Sequence, residues 1–212
     1  MYINNKTASN IGLFGYLDGT TIRNLSFNRA NLHGKDYVGT LSGRVDNSIV
    51  SQVTVDSLVS GHYYYKSSSD GYKGGSHIGG LVGYAKDVDL INSYTLGSVV
   101  GRCNVGAIYG QVSGGEITNS YSVAHTSGDS GYNVDCDSRV NSNWRHNYDY
   151  KNIGGLRGSG SVSITNSYHN HIDLKTGTGT TAIFTKWDTD IWDFGTANEL
   201  SLIHISEPTR PY

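Results

Sequence analysis

Along this chain apolar and polar residues alternate over short spans punctuated by glycine and asparagine, and no apolar stripe of helical period is sustained. That pattern predicts short β-strands separated by turns. Residues 78–101, IGGLVGYAKDVDLINSYTLGSVVG, hold the pattern once in full: a glycine-framed signature, a turn, a second segment, and a third apolar segment closing on glycine. The signature [IV]-G-x-[LI]-x-G recurs at 38–43, 78–83, 105–110 and 153–158, with a copy one residue shorter at 11–15. Its first glycines, Gly12, Gly39, Gly79, Gly106 and Gly154, are 27, 40, 27 and 48 residues apart. A 27-residue unit with two insertions accounts for all four steps.

The second segments carry Asn24, Asn92, Asn119 and Asn166 eight or nine residues after each signature, with Ser51 in that place in the second copy. Three short strands of one unit cannot bury their apolar sides alone, whereas units stacked coil on coil, with strands about 4.8 Å apart, can. The expected fold is all-β: a right-handed, three-sided parallel β-helix (β-solenoid) of about five coils of about 27 residues, spanning 1–170. The fourth signature position, Leu13, Leu41, Leu81, Ile108 and Leu156, is expected to face inward. The fifth, Phe14, Ser42, Val82, Tyr109 and Arg157, is expected to face outward, with a bulge or corner at the glycines. The recurring asparagines are expected to form an amide ladder bonding turn backbone, with a sugar-contacting row as the rival reading. Tyr94, Tyr121 and Tyr168 fall in phase and are expected to pack as a ladder.

Composition narrows the partners. A net charge of -2 argues against nucleic acid, whose phosphates need a concentrated basic surface. No apolar run reaches the roughly 18 residues of a membrane-spanning helix, and the first ten residues lack the basic and apolar regions of a signal peptide. Both prolines lie in the last five residues.

Chemistry concentrates in the insertions, 62–75 and 126–151, which enter at one corner between the third segment and the next signature. The first carries Tyr63, Tyr64 and Tyr65; the second carries Tyr132, Trp144, Tyr148 and Tyr150 amid Asp, Asn and Ser. Aromatic rings beside amides and carboxylates suit sugar recognition, and insertions on one face of a solenoid commonly form its binding face. The alternative is that these loops only cover the stack. Cys103 and Cys136 lie at equivalent corners of adjacent coils, near enough for a disulfide pinning the second insertion; two unrelated thiols are the alternative. Asp129, Asp135, Asp137 and Asn141 fail the EF-hand spacing, and His169 and His171 have no third ligand, so no metal or cofactor is expected.

The stretch 78–101 resembles the GLUG-motif repeat of large bacterial surface and secreted proteins, among them adhesin-like proteins and immunoglobulin A peptidases outside their catalytic domains. The resemblance runs from Ile11 to Tyr168 and is strongest in the third and fourth copies; Ser51 and Arg157 depart from it. Residues 171–199 resemble the segment that often follows such repeats. Leu200 to Arg210, LSLIHISEPTR, resembles the translation of a sequencing-library adapter, so 200–212 is expected to be an artefact of an assembled read. The resemblance implies a noncatalytic extracellular stalk or adhesin module, secreted or anchored at the cell surface. Such a module stacks on neighbouring repeats of its own chain and binds glycans or host surface proteins. The alternative is a β-helix polysaccharide lyase or hydrolase, for which Asp87, Asp89 and Glu116 are the nearest acids; no matching arginine or acid is expected on an adjacent coil face. The Thr-x-Thr ranks of an ice-binding surface do not occur.

Overall fold

The computed structural model describes residues 1–67, 71–128 and 153–169, with two short strands further on. These residues form β1 (Tyr2–Asn4), β2 (Phe14–Asp18), β3 (Thr21–Gly34), β4 (Ser42–Gly61), β5 (Tyr63–Ser67), β6 (Gly71–Gly74), β7 (Ser76–Gly79) and β8 (Val82–Ile91). They continue with β9 (Tyr94–Gly101), β10 (Cys103–Gly106), β11 (Tyr109–Thr118), β12 (Tyr121–Ser122), β13 (His125–Gly128), β14 (Ile153–Gly154), β15 (Arg157–Thr165) and β16 (Tyr168–His169). The last two are β17 (Trp192–Asp193) and β18 (His204–Ile205). The chain is all-β, and its main element is an 11-stranded parallel sheet.

Every ladder of that sheet joins one repeat to the next. Phe14 lies opposite Ser42, Ser42 opposite Val82, Val82 opposite Tyr109, and Tyr109 opposite Arg157. The first signature residues form a second parallel row: Ile78, Val105 and Ile153 in the sheet β7–β10–β14, with Ile11 and Val38 joined to it by bridges. Both insertions follow one in-register row of glycines, Gly34, Gly61, Gly101 and Gly128. The first is the antiparallel hairpin β5–β6. After Gly128 comes the second; β13 pairs with β9 up to that residue, so 126–128 belong to the sheet rather than to the insertion.

Unlike the separate strands that the turn residues predict, the strands run through the corners; β4 alone spans 20 residues. The reason is that the corner residues adopt left-handed φ in register, so neighbouring strands bend together and keep their pairing. One such row is Asn10, Tyr37, His77 and Asn104, a second is Gly19, Asn47, Asp87 and Gly114, and a third is Asn24, Gln52, Asn92, Asn119 and Asn166. The φ values in the third row lie between 46° and 55°. Register places Gln52, not Ser51, beside Asn24 and Asn92, because Ser51 pairs with Arg23 and Ile91. Asparagine recurs there because it tolerates left-handed φ better than most side chains.

The inter-coil ladder expected of those asparagines is built by the serine that follows them. Ser93 Oγ accepts the Val53 N–H at 3.1 Å, Ser120 Oγ accepts the Ser93 N–H at 3.2 Å, and Ser167 Oγ accepts the Ser120 N–H at 2.9 Å. Each hydroxyl donates at 2.9 Å to the carbonyl two residues before it. A left-handed residue turns its neighbours' amides out of the ladder, and the hydroxyl restores the lost bond. Among the asparagines, Asn166 Nδ2 donates to Asn119 Oδ1 at 3.3 Å, while Asn92 Oδ1 is buried without a partner. Tyr94, Tyr121 and Tyr168 share one register row, with Tyr121 buried.

The core divides into two clusters, and the signature bridges them. Val38, Ile78 and Val105 pack with Leu32, Val59 and Val99 in one; Leu41, Leu81 and Ile108 pack with Val50, Val55, Leu90 and Ile117 in the other. Contrary to the outward assignment of the fifth position, Ser42, Val82 and Tyr109 are fully buried. The chain swings from one sheet to the other between the signature glycines, so the fourth and fifth residues both enter the second cluster. Leu13, expected inside, is 46% exposed because no coil of the described residues covers it. None of the first glycines has positive φ; close approach requires them. A Cβ at Gly12 would lie 2.6 Å from the Gly39 carbonyl oxygen, and one at Gly39 would lie 2.6 Å from that of Leu81.

Candidate binding surface

The expected aromatic loops are only partly within the described residues. On the hairpin, Tyr64 is 46% exposed, whereas Tyr63 is half-buried with its ring over Gly75. The backbone of Tyr65 pairs with Tyr72. Tyr132, Trp144, Tyr148, Tyr150 and Cys136 lie outside the described residues. The base of the hairpin is clamped from the next coil: Arg102 Nε donates to the Gly74 carbonyl at 2.7 Å, and the Arg102 and Cys103 amides both donate to the Gly75 carbonyl. Cys103 is buried and disulfide-bonded.

A second surface, which the sequence reading missed, lies on the outward side of β2, β4 and β8. Tyr16, Arg44, Tyr84 and Gln111 occupy one register row across β2, β4, β8 and β11. The Arg44 guanidinium sits 5.5 Å from the Tyr16 ring centroid and 5.1 Å from that of Tyr84, a cation held between two π faces. Arg44 donates to Asp46 from Nε at 3.0 Å and from Nη2 at 2.6 Å, and the Tyr16 hydroxyl donates to the same carboxylate at 3.1 Å. The hydrogen bonds from Arg44 hold the Asp46 carboxyl below the usual carboxylate range and raise the guanidinium's own pKa. Tyr37 and His77, both left-handed corner residues, stack at 4.5 Å with planes 14° apart, and Tyr84 meets each edge-on at 6.4 Å. The only hint in the sequence was that Tyr16 and Tyr84 fall in one phase of the repeat.

This surface presents ring edges, a phenol hydroxyl and a guanidinium whose pairing with Asp46 uses Nε and Nη2 and leaves the Nη1 donors outside it. Tyr16 is 53% exposed and the Arg44 side chain 43%. Ring faces turned to Arg44 are closed to a sugar, so a ligand here would meet hydrogen-bond donors flanked by apolar edges.

His77 makes the surface sensitive to acid. Burial depresses its pKa, against the opposing hydrogen bond to Gln111, which accepts from the ring, and the charge of Asp36. The unfolded chain therefore binds this proton more readily than the folded one as pH falls through about 6.5, and the stability held above that pH is lost below it. His77→Asn keeps a residue suited to the corner, as at Asn10 and Asn104. The expected result, read by thermal unfolding between pH 7.5 and 5, is a flatter decline in the variant than in wild type; parallel declines would contradict it.

The acids of the enzymatic alternative are arranged differently from expectation. Asp89 and Glu116 lie directly opposite each other on adjacent strands, so an acid does recur on the neighbouring coil. It does so because the glutamate opening EITNSY aligns with the aspartate before LINSY. Both are exposed, and Glu116 accepts a hydrogen bond from Thr165 at 3.2 Å. Asp87 is a left-handed corner residue. Among the described residues no group of three or more His, Cys, Asp or Glu side chains could hold a metal ion.

The geometry defines an all-β repeat protein built on a many-stranded parallel sheet. The chain matches no family model, no curated protein and no solved structure.

Proposed function

We propose that the parallel sheets close as a right-handed, three-sided β-helix of GLUG-type coils. On this reading the chain is a noncatalytic extracellular module, a stalk or adhesin region, that binds glycans. In-register rows of left-handed residues, which bend every coil at the same places, support the closure. The observation that carries binding is the exposed Tyr16–Arg44–Tyr84 row, with Tyr64 on the hairpin as a second aromatic contact. Donors beside apolar ring edges suit hydroxyl-rich ligands, and the Arg44–Asp46 pair leaves little net charge to demand an acidic one. A polysaccharide hydrolase is the weaker reading, because a general acid is usually tuned by burial and both Asp89 and Glu116 are exposed.

The test is a glycan array probed with wild type and with Tyr16→Ser and Tyr64→Ser. Both side chains are substantially exposed, so the fold should tolerate their loss. Binding by wild type that falls at least about tenfold in either variant supports the reading. No binding to any glycan reduces the module to a scaffold.

A further inference from the structure

Two rows of planar side chains stand side by side on the outward surface, and each gains one member per coil. Asn10, Tyr37, His77 and Asn104 form the corner row. Tyr16, Arg44, Tyr84 and Gln111 form the strand row beside it. In the corner row the Tyr37 and His77 rings stack, and Asn104 Nδ2 donates to His77 Nε2 at 3.2 Å. In the strand row the Arg44 guanidinium lies between the Tyr16 and Tyr84 rings. Tyr84 joins the two rows, since its ring meets both Tyr37 and His77 edge-on.

Planes stacked along the sheet turn their edges outward, so each coil offers a polar edge. The Tyr37 and Tyr84 hydroxyls are neither buried nor hydrogen-bonded among the described residues. Arg44 keeps its Nη1 donors outside the pair with Asp46, and Gln111 supplies an amide in the next coil. Ser159 follows Gln111 in register, but its hydroxyl is buried, so the outward edges of the strand row end at Gln111. Nearby charges are engaged: Asp36 accepts the Ser76 N–H at 3.0 Å, and Asp18 accepts from Asn47 Nδ2 at 2.9 Å. The surface is therefore polar and close to neutral.

We infer that the ligand of this surface is an extended, neutral, β-linked polysaccharide lying along the stacking direction, one sugar to a coil. The inference rests on the glycan reading above and narrows it. Period decides the class of polymer. The polar edges recur at the strand spacing of about 4.8 Å. Each sugar of an extended β-linked chain advances it by slightly more than one such spacing, so four successive sugars stay within reach of the four edges of the strand row. An extended peptide presents one face only every second residue, about 6.7 Å, and falls out of step by the second coil. Nucleic acid needs unpaired cations for its phosphates, and Arg44 is paired. A strongly curved or branched glycan leaves the row after one or two contacts.

The test is titration calorimetry with β-1,4-linked oligosaccharides of glucose, mannose and N-acetylglucosamine, two to six units long, and with α-1,4-linked glucose oligosaccharides as a curved control. At least one β-linked series should tighten at least about 100-fold from two units to four, and less than about twofold from four to six. The α-linked series should bind at least about tenfold more weakly at four units. Gln111→Ala and Tyr16→Ser, at opposite ends of the strand row and both at partly exposed residues, should each move the plateau from four sugars to three. An unchanged unfolding midpoint separates that lost contact from a lost fold. Equal binding of the α- and β-linked series, or tight binding of a disaccharide with no gain in longer chains, would overturn the inference and leave the glycan reading standing. So would a glycan array on which only branched or acidic glycans bind, whereas an array with no binding at all removes both.

Discussion

Gly79→Ala is expected to cost about 4 kcal/mol or more, enough to remove most of the stability of a domain of this size. The cause is steric and local. The added methyl would lie 2.6 Å from the Ile108 carbonyl oxygen and 2.7 Å from the Gly110 amide nitrogen, and would also strike the Val82 carbonyl. All three are backbone atoms, locked by the ladders between β8 and β11, so no rotamer change relieves the clash. Entropy works the other way, since alanine loses less freedom than glycine on folding, but that gain is below about 1 kcal/mol. Gly15→Ala is the matched control: the same chemical change in the same signature, placed where the nearest atom is 3.4 Å away. It should alter stability by no more than about 0.5 kcal/mol. Denaturant unfolding of the two variants side by side reads the difference directly. Equal small losses would show that the signature glycines are not close-packed.

The second large effect concerns the signature's fourth position. Leu81 is fully buried in the larger core cluster, between coils on both sides. Leu81→Ala removes that packing and leaves a cavity that neighbouring coils, fixed by their own ladders, cannot collapse to fill. A loss of about 3–5 kcal/mol is expected. Leu13 holds the same repeat position but is 46% exposed, so Leu13→Ala should cost only about 1 kcal/mol. Similar losses at the two sites would mean that Leu13 is covered in solution.

Spacing made the repeat unit, the inward leucines of the interior copies and the shared corner of the insertions legible. Glycines at steps of 27 leave few alternatives for which residues lie side by side. Finer facing was not legible. The variety of residues at the fifth position sent Ser42, Val82 and Tyr109 outward, and that inference fails because the chain changes sheets within the signature. The asparagine row was visible but its cause was not: left-handed φ and a serine hydroxyl that repairs the ladder are properties of the bent backbone, and the pair Asn-Ser reads equally well as an ordinary turn. The Tyr16–Arg44–Tyr84 surface was hidden for another reason. Its members lie in different coils, so no stretch of sequence shows an arginine between two rings. In contrast, three tyrosines in a row draw the eye to the hairpin.

The central claim is that each repeat advances the chain by one strand in a continuous parallel stack. Asp18, Lys86, Ser113 and Ser161 lie in one register row, all exposed, with only buried Asp46 between the first two. Nitroxide pairs placed at 18 and 86, 18 and 113, and 18 and 161 measure the rise by pulsed electron spin resonance. Separations that grow by about 4.8 Å with each added strand, to about 19 Å between the last pair's Cα positions, are the expected result. Distances that fail to increase in that order would contradict the account.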